Sequence, residues 1–343
     1  MTSAKLSDVA GLAGVSKSTA SRILAAVKGR KIPYSPETQK SVRNAAALLN
    51  YRPSKLARGL SGTRSGIIGL VIPTLEDSFF TTATTIIEAQ LAEKGYNVIL
   101  SNTGGSSDME RAKVEDLLAW PVDGLVIAPA QQSDDAGLFW ELWEKDIPFV
   151  LIDRVFTETP FCSVTTDDYA GAVAAVEHIL SLGRRRIACV SGRSVVSTNS
   201  ARRAGYTEAL IKNEILPDPS LSIEVSPNEA GGRQAMEYFA GLDSPPDAVF
   251  CFSDLMAIGV MEVCFERGIR IPDDLALVGY ADLDYSAMLR VPLTSVRQPR
   301  NAMGLAAAEM LLARLDGSKP ETPAMQLPTE LIIRESTCGR TDN

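Results

Sequence analysis

The chain has 343 residues, 45% of them apolar and 22% charged, the composition of a globular protein with room for two or three domains. No apolar run approaches the ~18 residues of a membrane helix, no hydrophobic leader opens the chain, and the five cysteines include no Cys-x-x-Cys pair. Membrane, secreted and zinc-bound readings fall away, His178 is the single histidine, and a cytoplasmic protein with reduced thiols is expected. The net charge of −8 is uneven: residues 1–64 carry twelve Lys or Arg against Asp8 and Glu37, whereas residues 65–343 carry 22 bases against 40 acids. A basic head on an acidic body predicts a polyanionic partner for the head alone.

Three short helices are predicted in the head. Leu6, Val9, Ala10 and Ala13 recur at helical spacing, with Ser7 placed to begin the helix. Gly14 supplies a tight turn. Ser16 can then cap a second helix with Thr19, Ala20, Ile23 and Leu24 inward and Lys17, Ser18 and Arg22 outward. Ser35-Pro36-Glu37 opens a third, with Val42, Ala45, Ala46 and Leu49 as its apolar stripe. Two helices about a glycine turn, the second beginning with small polar and basic side chains, fit a helix-turn-helix that lays its second helix in the major groove. The spacing alone favours DNA binding, with an unrelated small helical bundle as the alternative.

From Gly66 onward, short apolar strands alternate with amphipathic helices. Strands are predicted over 67–72, 96–101, 124–128 and 149–152, with helices over 78–94, 109–120 and 138–145. The rhythm restarts with strands over 163–165, 187–191, 248–252 and 276–279 and helices over 169–182, 200–213, 229–240 and 255–268. This predicts an α/β body of two parallel-sheet lobes, with ligand outside the carboxyl ends of the strands. Thr74 to Phe79, Asp153-Arg154 and Ser253-Asp254 stand at such ends, although a strand-end Asp153 also suits a turn cap. Thr103-Gly104-Gly105-Ser106 lacks a nucleotide-binding pattern, and Ser191-Gly192-Arg193-Ser194 lacks the nucleophile-elbow spacing. His178 lies inside a helix with no second ligand, so no enzyme, metal or cofactor is expected.

Asp8-Val9-Ala10, Ala13-Gly14-Val15-Ser16 and Thr19-Ala20-Ser21-Arg22-Ile23-Leu24 resemble the DNA-binding signature of the LacI/GalR family of transcription regulators. Tyr51-Arg52-Pro53-Ser54 and Ala57-Arg58-Gly59-Leu60 resemble that family's hinge, and the likeness continues through Ile68-Gly69-Leu70-Val71-Ile72-Pro73 and, more thinly, almost to the C-terminus. The resemblance implies a helix-turn-helix domain over 1–52, a hinge over 53–65, and an effector-binding and dimerisation domain over 66–343 similar to periplasmic sugar-binding proteins. Lobe one would take about 66–164 and 293–326 and lobe two about 165–292 and 327–340, with crossings near Thr165, Val291 and Leu327. It further implies a ligand-responsive repressor of carbon-source utilisation genes, acting as a homodimer on a palindromic double-stranded operator. The effector, a sugar or sugar acid, would sit in the cleft between the lobes. The alternative is a cytoplasmic small-molecule-binding protein whose head serves another purpose.

Carried over by position, Lys17, Ser18 and Arg22 match the family's base-reading residues, and Arg22 can pair bidentately with guanine. Ser16, Thr19 and Ser21 suit phosphates, and Ser7 joins the DNA-contacting set. In the hinge, Leu60 takes the place of the leucine that wedges the base stack, Ser54 that of a cap, and Lys55, Ala57 and Arg58 lie along the phosphates. A segment this short is not helical alone, and a plain linker is the other reading. Arg202 matches the arginine that holds effector, with a surface salt bridge as its alternative; Thr74, Phe79, Asp153, Arg154, Thr198, Ser253, Asp254 and Asp282 complete the set. Ala281 stands where the family commonly has an aspartate, and Pro227 where many members have an aromatic platform. Loss of that acid beside Arg202 and Arg154 favours a sugar acid over a neutral hexose, unless Asp153, Asp254 or Asp282 faces the cleft. In the head, Ala20 replaces the usual valine, and the loop from Lys28 to Tyr34 is longer and more basic than is typical, either for phosphates or for solvent.

Overall fold

The computed structural model describes residues 4–25, 33–51, 64–318 and 323–338. Two units emerge: residues 1–67 with 119–123, and the remainder of the chain.

The head folds as α1 (Leu6–Ala13), α2 (Lys17–Ala25) and α3 (Pro36–Leu48). Gly14 ends α1 at φ 66°, a left-handed conformation that glycine adopts without a Cβ penalty, and the Val15 N–H returns to Ala10 O at 3.0 Å. Ser35 caps α3 by accepting from Thr38 N at 3.2 Å, and Pro36 fills the first helical position, where no N–H is needed. Val9, Ala10, Ala20, Ile23, Val42, Ala45 and Ala46 form the buried centre, the stripes that the spacing predicts. One start differs. α1 begins at Leu6, and the Asp8 carboxylate takes the Lys5 N–H at 2.9 Å, so Ser7 lies exposed in the first turn rather than at its head.

The body opens with β1 (Ile67–Ile72), α4 (Ser78–Glu93), β2 (Asn97–Asn102), α5 (Ser107–Ala119), β3 (Gly124–Ile127), α6 (Gly137–Glu144), β4 (Phe149–Ile152) and β5 (Ser163–Thr166). There follow α7 (Asp168–Ser181), β6 (Ile187–Ser191), α8 (Ser197–Lys212), β7 (Ser222–Glu224), α9 (Glu229–Ala240), β8 (Ala248–Cys251), α10 (Asp254–Arg267), β9 (Ala276–Ala281) and β10 (Thr294–Arg297). The chain closes with α11 (Arg300–Leu315), β11 (Ala324–Leu327), β12 (Glu330–Ile332) and α12 (Glu335–Cys338). They build two six-stranded sheets, ordered β11-β5-β4-β3-β1-β2 and β12-β10-β9-β8-β6-β7. The inner pairs are parallel, as in Leu70 beside Val126 and Phe250 beside Val278, while β12 runs antiparallel to β10. Strands covered by helices on both faces need unbroken apolar runs, and Phe149–Ile152 and Ala248–Cys251 are buried throughout.

Each lobe has its own core. Ile68, Leu70, Ile87, Leu91, Val126 and Val150 anchor the first, and Val176, Val190, Ala209, Phe239, Phe250 and Val260 the second. The chain passes between the lobes after β5, between β10 and α11, and between β11 and β12. The middle crossing is later than Val291. β10 pairs with β9, Ser295 beside Gly279, so residues 294–297 belong to lobe two and the passage falls at Gln298-Pro299. A short strand such as Thr294–Arg297 suits either sheet, and only its long-range partner decides which.

His178 donates to or accepts from Thr337 Oγ1 at 2.9 Å, and burial holds its imidazole below the usual range, the state of a structural histidine. Cys162, Cys189, Cys251 and Cys264 are buried free thiols, and Cys338 is an exposed one.

Candidate functional site

In the head, Ser16, Lys17, Ser18, Ser21 and Arg22 are exposed and Thr19 is half-buried. Ser16 Oγ accepts from Thr19 N at 3.1 Å and lies 2.8 Å from both Ser18 Oγ and Thr19 Oγ1, so α2 opens on a knot of hydroxyls. Backbone donors and hydroxyls at a helix start suit phosphate oxygens, and the helix leaves Lys17 in its first turn and Arg22 in its last turn exposed. Ser54, Lys55, Ala57, Arg58 and Leu60 lie outside the described residues.

In the body, a charged cluster forms where the lobes meet. Asp153, at the end of β4, adopts φ 65° and is 6% exposed; its Oδ2 lies 3.4 Å from Arg154 Nε. Arg154 Nη1 donates to the carbonyls of Pro129 and Ala130 at 3.0 and 3.3 Å, and its guanidinium approaches the Phe80 ring at 5.8 Å. From the second lobe, Arg202 on α8 places Nε 2.8 Å and Nη2 2.7 Å from Asp168 Oδ1. Arg202 Nη1 donates to Phe252 O, and the guanidinium lies 3.7 Å from the centre of the Tyr280 ring. Thr198, a turn before Arg202 on the same helix, is 6% exposed.

Asp168 and Asp77 join this cluster, and sequence reasoning missed both. Asp168 opens α7 directly after the first crossing. Asp77 caps α4 by accepting from Phe79 N at 2.8 Å and feels the charges of Arg154, Arg202 and Arg300. Burial pushes the carboxyls of Asp77 and Asp168 upward, against the pull of the arginines. Burial likewise raises Asp153 to about 6, although Arg154 favours its charged form. The only sequence signal for Asp77 was its place in the segment Thr74 to Phe79, and for Asp168 its place at a lobe crossing.

Other expected ligands have different work. Asp254 is fully buried; its Oδ2 accepts from Leu283 N at 2.8 Å and Ser286 Oγ at 2.6 Å, and its Oδ1 from Ser295 Oγ at 2.6 Å. It ties the loop after β9 to β10 and does not face the cleft. Asp282, at φ 49°, turns its carboxylate onto Arg297 Nε at 2.8 Å and Arg334 Nη1 at 2.7 Å, so its charge is also neutralised internally. Ser253 Oγ caps α10 by accepting from Met256 N at 3.2 Å, and Thr74 Oγ1 accepts from Glu76 N at 3.1 Å. Phe79 packs in the core of lobe one, edge-on to Phe80 at 5.0 Å between centroids. Ala281 adopts φ 112° and is buried with Leu283 against that same core.

The charge balance bears on the condition attached to Ala281, because Asp153 lies in the cluster. Asp77, Asp153 and Asp168 gather around Arg154 and Arg202, and Asp168 already occupies two donors of Arg202. The missing aspartate therefore does not leave the Arg202 guanidinium free for a ligand carboxylate.

A three-helix head with a basic, hydroxyl-rich second helix, and a two-lobed α/β body with polar side chains where the lobes meet, define the class of ligand-responsive DNA-binding regulators. Residues 5–54 match the family model described as bacterial regulatory proteins, lacI family, and residues 176–337 match the periplasmic binding protein-like domain. The chain is 30% identical over 336 residues to the HTH-type transcriptional repressor PurR of Vibrio atlanticus (strain LGP32), covering 97% of this chain and 98% of that one. It is equally 30% identical over 336 residues to the HTH-type transcriptional repressor CytR of Escherichia coli (strain K12), covering 98% and 97%. The lac repressor dimer bound to operator and the anti-inducer ONPF superposes with a TM-score of 0.86 at 28% identity, over 98% of this chain and 99% of that one. The transcriptional regulator CelR in complex with cellobiose gives 0.73 at 29% identity, over 97% and 99%. The chain belongs to the lacI family of bacterial regulatory proteins, and it is a ligand-responsive, DNA-binding repressor.

Proposed function

We propose that the chain represses carbon-source utilisation genes by binding a palindromic operator as a homodimer, and that a neutral, hydroxyl-rich sugar in the interlobe cleft resets this binding. Lys17, Ser18 and Arg22 read bases; Ser16, Thr19 and Ser21 hold phosphates; and Ser54, Lys55, Ala57, Arg58 and Leu60 keep the hinge roles implied by the resemblance. Ser7, exposed in the first turn of α1, is a phosphate contact. Asp77, Asp153, Asp168, Arg154, Thr198 and Arg202 form the effector site. The observation that carries the ligand class is the gathering of the Asp77, Asp153 and Asp168 carboxylates around Arg154 and Arg202: carboxylates accept hydroxyl protons and repel anions. The solved complexes of relatives with operator and with cellobiose support the same division of labour. Such a regulator works in the cytoplasm and carries out no catalysis; no described helix is long and apolar enough to cross a membrane.

Selection of duplexes from a random pool, followed by gel shift at two salt concentrations, tests the DNA half. Recovery of a palindrome with a steep salt dependence is expected; recovery of no motif would overturn it. Calorimetry with neutral sugars and their matched acids tests the other half, with the neutral member expected to bind more tightly.

A further inference from the structure

α8 carries both Thr198 and Arg202, yet its own cap residue does not cap it: Val196 stands at the cap position and makes no side-chain cap. The first N–H groups of a helix have no intrahelical acceptor and need one from elsewhere. Here the acceptor comes from the other lobe. Gln131, in the loop after β3, accepts at Oε1 from Ser197 N and from Ser197 Oγ, each at 3.0 Å. Its Nε2 donates to Val155 O at 2.7 Å, while Val155 N donates to Ser197 Oγ at 3.1 Å. A network of four hydrogen bonds, three of them closing a ring, thus links the ends of β3 and β4 in lobe one to the start of α8 in lobe two.

The loop is built to hold that side chain in place. Gln131 is 4% exposed and sits at φ 48°, a left-handed conformation unfavourable for a residue with a side chain. Glu110 Oε1 fixes the preceding residue by accepting from Ala130 N at 2.9 Å, and Arg154 Nη1 grips the Pro129 and Ala130 carbonyls from the cleft side. A left-handed glutamine persists only where its surroundings over-determine it.

We propose that Gln131 is a positioning residue that caps α8 from the opposite lobe, latching the lobes together and so setting how much of their closure is left for effector binding to drive. Separating the lobes breaks Gln131–Ser197 and leaves the start of α8 open. The link to effector response rests on the function proposed above; the latch itself does not, and its test uses neither effector nor operator.

Amide hydrogen exchange on the full-length, ligand-free protein reads the latch directly, because an N–H in the first turn is otherwise unprotected. In the unmodified protein Ser197 should be protected. Gln131→Ala should speed its exchange by about tenfold or more, with the α8 interior unchanged and an increased radius of gyration in X-ray scattering. Gln131→Glu keeps an acceptor and should restore protection at Ser197. Ser197→Ala keeps the N–H but removes the hydroxyl arm, and should loosen the lobes without destabilising the loop should Gln131→Ala fold poorly. Fast exchange at Ser197 in the unmodified protein, or Gln131→Ala and Ser197→Ala that both leave exchange and scattering unchanged, overturns the proposal. Failure to recover an operator would overturn only the regulatory reading.

Discussion

Nε and Nη2 of Arg202 both address a single oxygen, Oδ1 of Asp168, across the space between α8 and α7. Arg202, proposed above as an effector ligand, is thus also the buried half of an ion pair, and its removal strands a carboxylate. Arg202→Ala should lower unfolding free energy by about 3–5 kcal/mol, while Arg202→Met with Asp168→Asn should recover much of that. Urea denaturation of the three proteins decides it. An Arg202→Ala protein of unchanged stability would mean that the pair does not form.

Asp254 makes a second prediction through Gly279. A Cβ on Gly279 would lie 2.2 Å from Asp254 Oδ1, and the carboxylate is fixed there by Ser286, Ser295 and Leu283. Gly279→Ala should destabilise by about 1–3 kcal/mol through overpacking. Its operator affinity, measured well below the melting temperature, should stay within about twofold, since the head contains none of these residues.

The pH dependence has a definite sign. Burial raises Asp153 to about 6 and Glu110 to about 7, so the folded chain still holds these protons after the unfolded chain has lost them. Stability therefore falls as pH rises from about 4 to about 7, and is greatest, as far as these two groups are concerned, at the acid end. Glu110→Gln keeps an acceptor for Ala130 N and removes the charge. It should flatten the slope and gain on the order of 1–3 kcal/mol at pH 7.5, readable from urea midpoints across the range.

Effector binding should titrate with Asp153 in the opposite sense. A ligand hydroxyl donating to its carboxylate favours the charged form, so affinity should be full above about pH 6 and fall by up to about tenfold per unit below it. Asp153→Asn should abolish that dependence; a flat profile in the unmodified protein would exclude Asp153 from the contact.

In the head, Arg22→Ala should weaken specific operator binding by about 1–3 kcal/mol and relax one base position, whereas Lys55→Ala should weaken all sequences alike and flatten the salt slope by about one counterion. Equal losses by both variants on specific and random DNA would remove Arg22 from base reading.

Local chemistry was readable in advance. Ser16 and Ser35 cap, Gly14 turns, and the runs at Ile67–Ile72 and Phe149–Ile152 are strands, because each depends on neighbours within a few residues. The cleft was only half readable. Asp153, Arg154 and Arg202 come together as expected, but Asp254 and Asp282 were misplaced by a side-chain direction that sequence does not show. Asp254 is the first residue of its helix and points inward, and Asp282 is turned by its φ of 49° toward Arg297 and Arg334. β7 is too short to announce itself at three residues, and β11 and β12 are separated by two residues yet join different sheets. Gln131 carried no signal at all, since its partner is 66 residues away.

The sheet orders bear on how the protein is made. β11 is the last strand to join the first sheet and β12 the last to join the second, and they lie within residues 324–332. Neither lobe can finish its sheet until residues 324–332 have left the ribosome, whereas the helices of the head are complete by Leu48. During synthesis, a head able to fold waits on a body that cannot, and both lobes reach completion almost together.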